Sequence, residues 1–349
     1  MPVSIDAARD SIRGNGIELR TISTNRRDAI SSLLATAGAV LAPGIVRAQA
    51  IFPNHPIRIV VPVSPGGGVD TFARLIAAKV KTQRDVQFFV ENRTGGNSTI
   101  GGLDVRRAAP DGYTVLFHAS THNVARLVMR NVPYDPVADF TPIALAGSAL
   151  LVHIVSNSRQ EKTLAELVAA GKANPDKWSF ATAQLGAPGH LAAVAFNQYN
   201  GLNLPIIVYR GTAPAANDVV GGHVPMMIEA ILALPPMVRA GSVRAIAVTS
   251  TKRSSLAPEI PTMAEVGLPG LNFSAWWAMW GGPPGMAADL VQTINGWVND
   301  AVKDLAAEGR LAALGIEPVS ETPQAFARFI AGDLDRSAKL LKDANFQPE

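Results

Sequence analysis

The chain of 349 residues contains no cysteine. Disulfides, thiolate catalysis and cysteine-ligated metals are therefore excluded. Charge is also scarce: Asp, Glu, Lys and Arg make up 17% of the residues, while 48% are hydrophobic. A large core, and not cross-linking, must then supply stability. The small positive excess is no argument for a nucleic-acid partner. Six of the 31 basic residues and four of the 28 acidic ones precede residue 51, leaving 25 against 24. No Gly-x-Ser-x-Gly elbow, His-Glu-x-x-His helix or Gly-Lys-Ser/Thr loop occurs. His118 and His122 are four apart but straddle a strand end and a loop. Together with His190 they do not form a zinc set, so neither metal nor cofactor is expected.

The first fifty residues read as an export signal. Arg26-Arg27 precedes an uncharged stretch from Ala29 to Val46, and Ala48-Gln49-Ala50 is a small-x-small cleavage pattern. Ser31, Ser32, Pro43 and Gly44 make this stretch a poor permanent membrane span. The arginine pair suggests a twin-arginine signal, while Asp28-Ala29-Ile30 after it leaves ordinary secretion open.

Beyond residue 50, strand and helix patterns alternate. The run Ile57–Val63 is apolar and β-branched, as in a strand covered on both faces. Val69, Phe72, Ala73, Ile76 and Val80 then recur at helical spacing. Between them lies Ser64-Pro65-Gly66-Gly67-Gly68, a turn whose backbone can approach an anion at the helix start. A branched residue at Gly67 is expected to block that approach and to strain the turn. Further strands are expected at Val86–Val90, Tyr113–Phe117, Leu150–Val155, Trp178–Thr182, Ile206–Tyr209, Val224–Ile228 and Val243–Thr249. Helices are expected at Ile100–Arg107, His122–Arg130, Leu164–Lys172, His190–Tyr199 and Ala213–Val220, then Ala287–Leu314 and Pro323–Leu341. Thr163 with Glu166 has the spacing of a capping box. Repeated βα units imply an α/β fold with mostly parallel sheets covered by helices.

Several motifs in fixed order carry a family resemblance. They include Pro56–Pro62, Pro65-Gly66-Gly67-Gly68-Val69-Asp70, Val90-Glu91-Asn92-Arg93, Ala109-Pro110-Asp111-Gly112-Tyr113-Thr114, Pro133-Tyr134-Asp135-Pro136, Tyr209-Arg210-Gly211 and Ala245–Ser250. Pro261-Thr262, Glu265 and Gly267–Gly270 complete the set. The chain resembles the periplasmic solute receptors of tripartite tricarboxylate transporters, the Bug receptors. The resemblance implies a two-lobed periplasmic-binding-protein fold, type II-like, with hinge crossings near Leu151–Val155 and Phe273–Trp280. Lobe 1 would combine residues 51–152 and 276–349, and lobe 2 would hold 153–275. A monomeric periplasmic receptor is implied that closes on a small organic acid and delivers it to membrane transporter or sensor subunits. The residues alone leave a second reading open, an exported α/β hydrolase or isomerase acting on a small carboxylate.

The resemblance also implies the ligand contacts. A first loop would offer Ser64, Gly66, Gly67, Gly68 and Asp70, and a second Gly186, Ala187, Pro188, Gly189 and His190. Thr121, Tyr209, Gly211 and Glu229 would complete the cleft. Asp70 either accepts a hydrogen bond from the solute or serves only as a first-turn acid favouring the helix dipole. Glu229 either lines the cleft and selects against dianions or is a solvated, capping acid. Trp276, Trp277 and Trp280 form an aromatic wall or pack the hinge. The turn Thr94–Ser98 departs from the family's usual proline-and-glycine turn, and Gln184–Gly189 lacks its usual serines.

Overall fold

The computed structural model describes residues 52–231, 237–238 and 240–349. The leader and its Ala48-Gln49-Ala50 site lie outside them. Among the described residues ten strands form one sheet: eight follow the order β2-β1-β3-β9-β4-β7-β5-β6, and β8 and β10 (Glu317–Pro318) pair beside β4. Strands β1 (Ile57–Val61), β2 (Phe88–Asn92) and β3 (Thr114–Ala119) are mutually parallel. So are β5 (Phe180–Thr182), β6 (Ile206–Val208) and β7 (Met226–Ala230). Antiparallel pairing enters through two strands, β4 (Thr141–Ser156) and β9 (Ser274–Gly281). The sheet is therefore mixed. Its two wings are parallel, as βα units require, and the segments joining them supply the antiparallel contacts.

The joining strands explain the path. Thr141 to Leu150 of β4 pairs with β9, whereas Leu151 to Ser156 pairs with β7 and with β8 (Val243–Val248). The chain thus passes from one wing to the other inside one sixteen-residue strand, and it returns at Phe273–Ser274. Thr249 ties the two passages together. Its N–H and carbonyl engage Leu151 and Phe273 at 2.9 and 3.1 Å, and its hydroxyl contacts Phe273 O at 2.6 Å and the Leu151 N–H at 3.0 Å. A buried hydroxyl with these partners is fully satisfied.

Helices cover both wings. Helix α1 (Gly68–Arg84) buries Phe72, Ala73, Ile76 and Val80, the face that the 3.6-residue period foretells. α2 (Thr99–Arg106) and α3 (Ala125–Val128) are short. α4 (Leu164–Ala173) starts with the expected capping box between Thr163 and Glu166. α5 (Pro188–Asn200) and α6 (Thr212–Val220) follow β5 and β6. α7 (Ala288–Ala307) and α8 (Pro323–Asp343) close the chain, α8 with Thr322 as its cap.

The first half of β4 is absent from the sequence reading, which places a strand only from Leu150. Ala144, Ala146, Gly147, Ser148 and Ala149 lack the β-branched signal. Packing needs them small: a Cβ at Gly147 would stand 2.9 Å from Ile316 Cγ2 and 3.2 Å from the Phe72 ring. The neighbouring strand fills the other side with bulk, pairing Trp276 to Ser148, Trp277 to Gly147 and Trp280 to Pro142. Trp276 and Trp280 lie in a buried cluster with Phe140, Tyr134 and Phe326.

Candidate functional site

A cleft lies where the C-terminal ends of the two parallel wings face each other, the place where open α/β sheets bind ligands. Its space, open mouth included, is about 700 Å³. One wing supplies Val63–Pro65, Gly67–Val69, Ala119 and Thr121; the other supplies Ala183, Gln184, Ala187, Pro188, Gly211–Pro214, Glu229 and Ala230. Ala275 and Trp277 of β9 form the floor. Of the fourteen residues expected from sequence, Ser64, Gly67, Gly68, Thr121, Ala187, Pro188, Gly211 and Glu229 line this cleft.

Three helices begin at the cleft: α1 after Gly67, α5 after Ala187 and α6 after Gly211. None of these cap residues makes a side-chain hydrogen bond to its helix. Each helix therefore leaves first-turn N–H groups and a partial positive charge at the cleft. Of the helices that start elsewhere, α4 and α8 are capped by Thr163 and Thr322, while α2, α3 and α7 also lack a side-chain cap; what sets α1, α5 and α6 apart is that they share one cleft. Gly211 takes φ +134°, which favours glycine, so the chain can turn from β6 into α6. Gly189 is required by contact: an added Cβ would stand 2.0 Å from Ile228 O. Its role is to let α5 lie on β7. Gly67 differs from the expectation of a strained turn. It has φ −79° and ψ 172°, and an added Cβ would meet only Ser64 O, at 3.8 Å.

Asp70 and His190 are not among the lining residues of the cleft. The Asp70 carboxylate is 3% exposed and accepts from the Gly66 N–H at 3.0 Å, Arg74 Nε at 3.1 Å and Asn92 Nδ2 at 2.9 Å. Burial by itself raises its pKa, but the bonds from Arg74, Gly66 and Asn92 outweigh this and hold it below the ordinary value. It fastens the glycine turn to α1 and β2 and does not face the cleft. His190 turns away from the cleft, its ring edge-on to Phe346 at 5.4 Å. Gly66, Gly186 and Gly189 support the loops without lining the space, and Tyr209 sits at the outer mouth.

That mouth is lined by Thr94–Ser98, Gln184 and Val208–Arg210, and it shares Val63, Ser64 and Gln184 with the cleft. Bonds span it from wing to wing. Asn97 Nδ2 donates to Leu185 O at 3.0 Å, and the Leu185 N–H donates to Asn97 Oδ1 at 3.2 Å. Gln184 Nε2 donates to Ser98 Oγ at 2.6 Å, and Ser64 Oγ to Arg210 O at 3.3 Å. Sequence reasoning noticed the Thr94–Ser98 turn as unusual but missed these partners, which lie almost ninety residues away. It also missed Thr212, for which the available signal was position, directly after Gly211 at a helix start.

Glu229 is the ionisable side chain among the described lining residues. Burial pushes its pKa up to about 7, against the Ala230 N–H and the Thr212 hydroxyl, which favour the charged form. The described residues hold no cluster of three or more His, Asp or Glu groups arranged for a metal.

Comparison with known proteins agrees with this architecture. Residues 72–346 match the family described as the tripartite tricarboxylate transporter family receptor. The protein BugT of Bordetella pertussis is 32% identical over 319 residues, covering 90% of this chain and 98% of that one. The structure of the periplasmic binding protein BugD is similar with a TM-score of 0.80 and 32% identity, over 85% of this chain and 100% of that one. A structure of an R. palustris protein with adipate gives a TM-score of 0.81 at 30% identity, over 85% and 100%.

Proposed function

Since the chain belongs to the tripartite tricarboxylate transporter receptor family, a family of receptors and not of enzymes, we propose that its cleft captures a small organic acid for delivery to membrane transporter or sensor subunits. The observation that carries this reading is the convergence of three helix N-termini, each without a side-chain cap, on one cleft. Backbone N–H groups fixed before binding suit a carboxylate. Gly67–Gly68 and Ala187–Pro188 would hold it, with Ser64, Thr121 and Gly211 beside it. The adipate bound by the R. palustris relative favours a carboxylated solute here too. A thermal-shift screen of carboxylic acids tests this. A ligand at a hundred times its Kd adds about 2.7 kcal/mol, and it should be recovered unchanged. Failure of every carboxylate to raise the melting temperature would remove the reading.

The wings act in this reading as two lobes, residues 51–152 with 276–349 and residues 153–275, hinged at the crossings that Thr249 ties. Two strand crossings leave few torsions to change, which suits closure. The bonds from Asn97 and Ser98 to Leu185 and Gln184 would form on closing. Small-angle scattering should show a more compact particle with saturating solute than without it; an identical profile would rule out closure.

Export to the periplasm, where relatives such as BugD act as binding proteins, follows from the leader pattern. Cleavage after Ala50, by the twin-arginine or the general route, should leave a mature chain beginning near Ile51. N-terminal sequencing of periplasmic material that still carries Arg26 would contradict it.

A further inference from the structure

The described residues that line the cleft include one acid and no cation. Its helix N-termini favour anions, yet the ionisable side chain lining it is an acid, Glu229, only 6% exposed. Glu229 Oε1 accepts from the Ala230 N–H at 2.8 Å and Oε2 from the Thr212 hydroxyl at 3.4 Å. A carboxylate has about four acceptor positions, so roughly half remain for an occupant of the cleft. Arg210, directly before Gly211, is exposed at the outer mouth and is not among the lining residues of the cleft itself. Other titratable groups on the surrounding elements have their own partners: His118 on β3 packs beside His122, which packs on Phe140 and Trp280. Asp70 on α1 is engaged by Gly66, Arg74 and Asn92. His153 on β4 packs on Phe180 and Phe196, and His190 on α5 packs on Phe346. β5, β6, β9 and the first turn of α6 bring no ionisable group.

We infer that the cleft is built for an aminocarboxylate, with the solute carboxylate on the N-termini of α1 and α5 and its ammonium on Glu229 beside Thr212. This rests on the receptor reading and narrows it from organic acids at large to those carrying a cationic donor at the far end. An ammonium brings three N–H donors and the opposite charge, the partner that a buried carboxylate otherwise lacks. Glu229 stands beside the N-terminus of α6 through the Thr212 hydroxyl, so a second solute carboxylate there meets like charge unless Glu229 takes up a proton. Because burial holds that acid near pH 7, dicarboxylate binding weakens above pH 7 by up to about tenfold per unit, and aminocarboxylate binding does not.

Calorimetric titration at pH 8 with pairs of equal methylene count, γ-aminobutyrate against glutarate and δ-aminovalerate against adipate, tests the assignment on wild type and Glu229→Gln. Gln keeps the acceptor for the Ala230 N–H, and circular dichroism confirms the fold. Wild type should favour the amino member of at least one pair by about tenfold or more. Glu229→Gln should lose about tenfold for that member and gain for the diacid. A wild type that binds the diacids at least as tightly, or a variant that keeps the wild-type preference or weakens both members alike, overturns the assignment and leaves the receptor reading intact. If none of the four acids binds either protein, the assignment falls, while the receptor reading is decided by the thermal-shift screen.

Discussion

Gly67→Val is expected to fold normally and to lose carboxylate binding by about a hundredfold or more. The position needs no special backbone: φ −79° and ψ 172° lie in the extended region open to any residue, and the space around a Cβ is free. Valine in place of glycine as a helix cap costs about 1 kcal/mol at most. Its two methyl groups, however, stand over the first N–H groups of α1, where the solute carboxylate must come. Hydrogen bonds to a charged group are worth about 1.5–3 kcal/mol each; losing one corresponds to about ten- to a hundredfold or slightly more in Kd, and losing two to about a hundredfold or more. Gly67→Ala should fall between. The measurement is calorimetry with the acid found by thermal shift, beside melting of both variants. A folded Val variant that binds within threefold of wild type would show that the anion is held elsewhere.

Acid should weaken the fold steeply, and His153 should account for a measurable share. His153 is fully buried, neither ring nitrogen has a partner, and its ring lies 5.7 Å from Phe180 and 5.3 Å from Phe196. Burial drives its pKa down to about 3. His118, lowered by burial and then by its neighbour His122, and His122, lowered by burial, also fall to about 3. In the unfolded chain these groups take up protons near pH 6.5, while in the folded one they stay neutral. Their contribution is therefore complete above pH 6.5 and is withdrawn as pH falls from 6.5 towards 3. By pH 5 each withdraws about 2 kcal/mol, against a total stability of order 5–15 kcal/mol. His153→Phe places a third ring among two phenylalanines and removes the titration. Its cost at pH 7.5 is about 1–2 kcal/mol from the larger ring. The difference between urea unfolding at pH 7.5 and at pH 5 should shrink by about 2 kcal/mol. An unchanged difference would mean that the imidazole finds a proton acceptor in the folded protein.

The sequence by itself determined the local elements. Alternating periods placed β1 against α1, the Thr163–Glu166 spacing marked the start of α4, and Ser64–Gly68 marked the glycine turn, because each of these signals spans only a few residues. Eight of the fourteen residues that the family resemblance implied lie along the cleft, since βα turns after parallel strands fall on one sheet edge whatever the rest of the chain does. What a side chain faces depends on partners remote in sequence, and that only the tertiary structure decided. Asp70 stands in the right turn, yet Asn92 on β2 and Arg74 draw its carboxylate inward. His190 opens the right helix, yet α8 brings Phe346 to its ring. The first half of β4 had no local signature because its small residues are set by Ile316, Phe72 and the tryptophans of β9. Glu229 became a buried acid with no cation among its fellow lining residues only when two wings, joined by strands more than a hundred residues apart, were brought together around it.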